Sequence, residues 1–202
     1  LAVEVLMNGV KRILLASFFV SLLSACAPDL GVRLAVPSVP DPEKVEAREG
    51  ATTPIKVRVG TFVDKRPSDT IAVIDGRKVP SEGSLGGVVQ EGLTNYLRKA
   101  GIRIAVLQAP QLEGEILEWK ANVSPSFPTS SASATARIKV ILRGADSSVK
   151  YRASFAGESS MGHPALRASH VKELLAQAMG SALEEVVTDA GLLDQLSPGQ
   201  AR

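Results

Sequence analysis

The chain of 202 residues contains one cysteine, Cys26, which closes the stretch "KRILLASFFVSLLSAC". A lone thiol excludes any intramolecular disulfide, even in an oxidising compartment, so whatever folds downstream is held by packing alone. The stretch also carries an address. Lys11 and Arg12 form a positive n-region, Ile13 to Leu23 a short apolar h-region, and Ser24-Ala25 the small residues of a cleavage site. The h-region falls short of the about 20 apolar residues that a membrane-spanning helix needs. A packed core helix fits poorly, because Phe18, Phe19, Val20, Leu22 and Leu23 leave no polar face. Residues 1–25 therefore read as a signal peptide, with Met7 the expected start and Leu1 to Leu6 an upstream extension.

Leu23-Ser24-Ala25-Cys26 resembles the lipobox of bacterial lipoproteins. The resemblance implies a diacylglyceryl group on the Cys26 sulfur, cleavage after Ala25 and an acyl chain on the new amino terminus. Stable anchoring needs more than one chain, each buried CH2 contributing about 0.8 kcal/mol, and three chains satisfy that. Residue 27 is Ala. In enterobacterium-like sorting an Asp there retains a lipoprotein in the inner membrane, so the resemblance implies a periplasm-facing position on the outer membrane. No cofactor is expected beyond the covalent diacylglycerol and N-acyl chain.

From Ala27 to Pro54 the prolines at 28, 37, 40, 42 and 54 punctuate small, charged and weakly apolar residues. Residues 26–54 thus read as an extended tether, reaching roughly 30 Å as a random coil. The formal charge of +2 gives no nucleic-acid footprint. Arg137, Lys139, Arg143, Lys150 and Arg152 cluster, but at alternate strand positions, which predicts a solvated face.

The folded domain is expected over 55–196, with 197–202 a disordered tail. Ile55, Val57, Val59, Thr61 and Val63 alternate with Lys56, Arg58 and Gly60, the period-2 pattern of a half-buried strand. Asp75-Gly76 between two apolar runs predicts a hairpin. Leu85, Val89, Leu93, Tyr96 and Leu97 form one helical stripe, and Gly101 follows as a left-handed cap. "IRIAVL" reads as a strand, and "QLEGEILEWKANV" as another with a bulge near Leu117, where the apolar face changes.

In "SATARIKVILRG", Ala134, Ala136, Ile138, Val140 and Leu142 share one face, and "VKYRASFAG" alternates likewise, so the two predict an antiparallel hairpin. The last helix has Ser169 as its expected N-cap. Its stripe runs through Val171, Leu174, Leu175, Ala178, Met179, Ala182, Leu183, Val186 and Val187. Together these predict an α+β two-layer sandwich, a mainly antiparallel sheet with two helices packed on one face.

No reaction centre assembles from the sequence. His163 and His170 are the only histidines, too few for a metal site without cysteine ligands. There is no nucleophile elbow, and "GSLGG" lacks the lysine and spacing of a phosphate-binding loop. Asp64 and Arg66 in "VDKRP" predict a local ion pair or turn. Glu113 and Glu115 read as an exposed polar face before paired carboxylates, and Trp119 as a core plug before a surface anchor. Phe127, alone in the polar loop "NVSPSFPTSSASA", is the candidate partner contact. The chain reads as non-enzymatic.

The order of these segments resembles the YajG-like family of bacterial outer-membrane lipoproteins, whose role is largely uncharacterised. The resemblance rests on "LSAC", on "VRVGTFVDKRP" with its strand ending in Asp-x-Arg, on "VVQEGLTNYLRKAGIRI", and on "HVKELLAQAMGSALEEVVTDAGLLDQL". It implies a lipid-anchored envelope module that binds an envelope protein partner. The alternative is an accessory lipoprotein of a lipid or small-molecule transport or secretion complex, with a groove between helix and sheet. A periplasmic hydrolase stands third.

Overall fold

One long strand organises the chain. The alternation from Gln111 to Ser124 forms β6, with Leu112, Gly114, Ile116, Trp119 and Ala121 buried on one face. The computed structural model describes residues 34–43, 45, 55–124, 126 and 128–197. The signal peptide, lipobox residues Leu23, Ser24 and Ala25, Cys26, much of the 26–54 segment, Phe127 and residues 198–202 lie outside the described residues.

In chain order the elements are β1 (Leu34–Ala35), β2 (Lys56–Asp64), β3 (Thr70–Ile74), β4 (Arg77–Glu82), α1 (Leu85–Lys99) and β5 (Arg103–Ile104). Then come β6, β7 (Ser130–Arg143), β8 (Val149–His163), α2 (Ala168–Thr188) and α3 (Ala190–Leu196). One edge of β6 pairs antiparallel with β7 along its whole length, and β7 pairs in the same way with β8. The other edge is shared. β2 runs parallel to its first half, as far as Asp64 opposite Ile116, and β3 parallel to its second, from Ala72 opposite Ala121. Parallel β1–β4 and β2–β5 contacts complete a mixed sheet of eight strands. The fold is α+β with the helices on one side, as expected, although three helices are present among the described residues and the two-residue strands β1 and β5 pair parallel.

Local chemistry accounts for the turns and caps. Asp75 and Gly76 both have positive φ, 51° and 76°, the pattern of a type I′ hairpin turn. Ser84 caps α1 by accepting from the Gly87 N–H at 3.3 Å. After α1, Gly101 at φ 79° lets Ile102 N–H reach the Leu97 carbonyl and Gly101 N–H that of Arg98. These two bonds are those of a Schellman motif, and buried Ile102 supplies its apolar contact. The bulge expected near Leu117 is present as a register shift between Ile116 and Glu118.

Four expectations are corrected. A register shift between Val59 and Phe62 interrupts the alternation of β2, so Phe62 turns inward and Val63 is left 49% exposed. "IRIAVL" forms only the two residues of β5. The chain then leaves the sheet, with Val106 and Leu107 83% and 74% exposed. The N-cap of α2 is Arg167 rather than Ser169, and His170 Nδ1 accepts from the Arg167 N–H at 3.2 Å. Finally, part of the expected tether belongs to the domain. Leu34–Ala35 pairs with β4, Pro37, Pro42 and Val45 are buried, and the chain between them crosses the helix layer. It fits there because two helix positions lack side chains: a Cβ on Gly92 would lie 3.0 Å from Val39, and one on Gly180 3.3 Å from Pro40.

The core lies between sheet and helices. All nine residues of the α2 stripe are buried against β6, β7 and β8, and Leu183 also meets α1 near Gly92. Leu175→Ala or Leu183→Ala is therefore expected to cost about 2–5 kcal/mol, read as a lowered chemical-denaturation midpoint. An unchanged midpoint in both variants would place α2 outside the core.

Candidate functional site

β2 and β3 are nearly one strand, broken by the excursion of residues 65–69. Opposite the break, Leu117 to Lys120 have no strand on that edge of β6. Arg66 fills the position. Its Nε and one terminal nitrogen grip Asp64, each at 3.0 Å, and the other nitrogen donates to the carbonyls of Thr70 at 3.1 Å and Trp119 at 3.2 Å. A contact to Ser81 Oγ at 3.5 Å reaches the end of β4. Lys65 N–H extends the ladder by one bond, to the Ile116 carbonyl at 2.9 Å. The guanidinium thus supplies donors that an unbroken strand would have supplied from its backbone, using its five-donor fork.

The Arg66 side chain is only 4% exposed, whereas that of Asp64 is 41% exposed. Burial pushes the Asp64 carboxyl up, but hydrogen bonds and charge from Arg66 outweigh it and hold the carboxyl below its ordinary value. Beside this clamp is a cavity of about 410 Å³, lined by Arg66, Pro67, Ser68, Thr70 and the Leu117 to Lys120 bulge. With its donors engaged on protein acceptors, Arg66 shapes this cavity rather than offering a free cationic contact. The cavity lies at the strand break, on the edge of β6.

The second notable surface is the uncovered face of the sheet. Lys139 pairs with Glu115 at 3.0 Å and Arg143 with Glu113 at 2.5 Å, so both glutamates face cations of β7 rather than each other. Lys120 pairs with Glu118 and Lys150 with Asp146. Arg137, Arg152 and Glu158 are exposed and make no ion pair among the described residues. This is the solvated cationic face expected from alternation, partly neutralised by β6.

The remaining candidates separate. Trp119 is wholly buried, its Nε1 donating to the Leu175 carbonyl at 2.9 Å, and so is the core plug expected. The rings of His163 and His170 lie 4.6 Å apart, but each Nδ1 is engaged with nearby backbone. No group of three metal-ligating side chains occurs among the described residues. Tyr151 donates to Asp189 at 2.6 Å. Burial first and this carboxylate second push its hydroxyl up to about 12. Asp189 also caps α3 through the Leu192 N–H, so the pair ties β8 to the α2–α3 junction. Sequence reasoning missed Thr70, Ser81 and the Trp119 carbonyl as partners of Arg66. The one available signal was an arginine beside an Asp at a strand end.

The architecture is an α+β two-layer domain, and solved structures align with it to differing extents. Protein XCC0632 of Xanthomonas campestris, of family DUF330, aligns with a TM-score of 0.56 at 15% identity, over 77% of this chain and 92% of its own. A minor lipoprotein of Acinetobacter baumannii aligns at 0.45 and 8% identity, over 70% and 94%. The lipoprotein GNA1162 of Neisseria meningitidis aligns at 0.31 and 10%, over 61% and 94%. The first likeness establishes a common fold. No family model matches the chain, and no curated protein matches it. No helix among the described residues is long and apolar enough to cross a membrane.

Proposed function

We propose that this chain is a lipid-anchored lipoprotein of the bacterial envelope, acylated at Cys26. Its folded unit is a non-enzymatic binding module facing the periplasm from the outer membrane. The observation that carries this reading is the placement of the only thiol after Leu23-Ser24-Ala25, at the end of an apolar run too short to span a bilayer. The order of segments, which resembles that of YajG-like lipoproteins, supports it. Because Leu34 already pairs with β4, the connection from Cys26 to that strand reaches at most about 28 Å at full extension. The module is therefore held close to the membrane surface, with Phe127 as a position from which to crosslink an envelope protein partner.

The test is Cys26→Ser in the native cell. The variant is expected to lose incorporation of labelled palmitate and to leave the membrane fraction. Unchanged labelling and fractionation would overturn the reading. Lipid co-purifying with the protein would instead favour the accessory transport role.

A further inference from the structure

We infer that the outer edge of β8 is a self-association surface, on which a second copy of this chain adds its own β8 antiparallel and continues the sheet. β8 spans 15 residues and pairs only with β7, so its outward N–H and C=O groups have no strand partner among the described residues. Long edges of this kind are normally blunted by proline, bulges or brevity, because they template pairing with another chain. This edge contains no proline, and its one irregularity is at its start, opposite Arg143. Ser154, Ala156 and Gly157 keep its middle free of bulk.

The charges on the strand select the occupant. Arg152 and Glu158 are both exposed, and both lack an ion pair among the described residues. They stand on the same, uncovered face, because Ala156 and Ser154 oppose Arg137 and Lys139 of β7, two of its solvated cations. In a two-fold antiparallel pairing centred on Phe155, Arg152 of each copy falls directly opposite Glu158 of the other. Lys150 lies diagonal to the same carboxylate. On the helix-facing side Ala153 meets Gly157 and Tyr151 meets Ser159, pairings without bulk conflict. This register runs from residue 149 to 161. Centring on Ala156 would use the whole strand but place Arg152 opposite Ser160, with no charge partner. An isologous contact of this kind closes as a dimer rather than a filament, and opposite charges directly across a strand pair favour it.

The experiment is charge reversal in the full, lipid-anchored chain, purified in detergent, with mass measured by light scattering corrected for the micelle. The wild type is expected to be dimeric. Arg152→Glu and Glu158→Arg are each expected to weaken the dimer about tenfold or more, since symmetry doubles every like-charge pair. The double variant R152E/E158R is expected to restore it. Both side chains are exposed, so circular dichroism should show each variant folded. A monomeric wild type overturns the proposal. So does a dimer indifferent to both single changes, or one that the double variant fails to restore.

Discussion

Arg66→Ala is expected to destabilise the domain by about 2–4 kcal/mol, since each acceptor left without its donor away from solvent costs about 1–3 kcal/mol. Three sets of acceptors lose their donor together: the Asp64 carboxylate, the Thr70 carbonyl and the Trp119 carbonyl. The last two belong to β3 and β6, whose own ladder begins only at Ala72 and Ala121. Arg66→Lys keeps the charge but not the planar fork, and is expected to recover only part of the loss. Asp64→Asn leaves the 4% exposed Arg66 guanidinium without its counter-charge, so it too is expected to destabilise, with a midpoint between those of wild type and Arg66→Ala because the amide oxygen still accepts one bond.

Acid gives an independent check on the same clamp. The folded-state pKa of Asp64 is depressed from the ordinary value of 3.8, so its contribution is fully present above that value and is lost as the pH falls through the folded one. The gap in urea midpoint between wild type and Arg66→Ala should therefore narrow below about pH 4. Equal midpoints for the two proteins at neutral pH would show that the clamp is dispensable.

The parts of this fold that were legible in the sequence are those whose chemistry is local. The α2 stripe, the α1 stripe with its Gly101 cap and the Asp75-Gly76 turn each follow from a few adjacent side chains. Even the β6 bulge was visible, because its two halves place apolar residues on opposite parity. The polar stretch that ends β8 was not, since "ESSMGH" has no apolar alternation and is strand only because residues 130–135 pair with it. The Arg66 clamp was half legible. Asp64 and Arg66 are two residues apart, but Trp119 and Ser81 reach the guanidinium only through the parallel placement of β2 and β3 along β6. The strap at 34–45 was misread because prolines suit a free linker and a docked extended segment equally well. What distinguishes them is Gly92 and Gly180, which read locally only as weak helix formers.

Trp119→Ala is expected to cost about 3–5 kcal/mol, as large aromatic truncations in a packed core do. Strict alternation from Leu112, Gly114 and Ile116 would place Glu118 and Lys120 inside, an outcome that buries two charges. The extra residue at Leu117 inverts the parity, so Trp119 and Ala121 enter the core while Glu118 and Lys120 pair with each other at 2.7 Å outside. Trp119 then spans the layer to the α2 backbone at Leu175, which makes it the contact that fixes helix against bulge. Trp119→Phe keeps much of the apolar volume and loses only the indole N–H, so its midpoint should fall between those of wild type and Trp119→Ala. Because this is the only tryptophan in the chain, its fluorescence should shift to the red on unfolding, in step with the loss of helical circular dichroism. Fluorescence that moves first would mean the bulge opens before α2 leaves the sheet, and the two do not act as one unit.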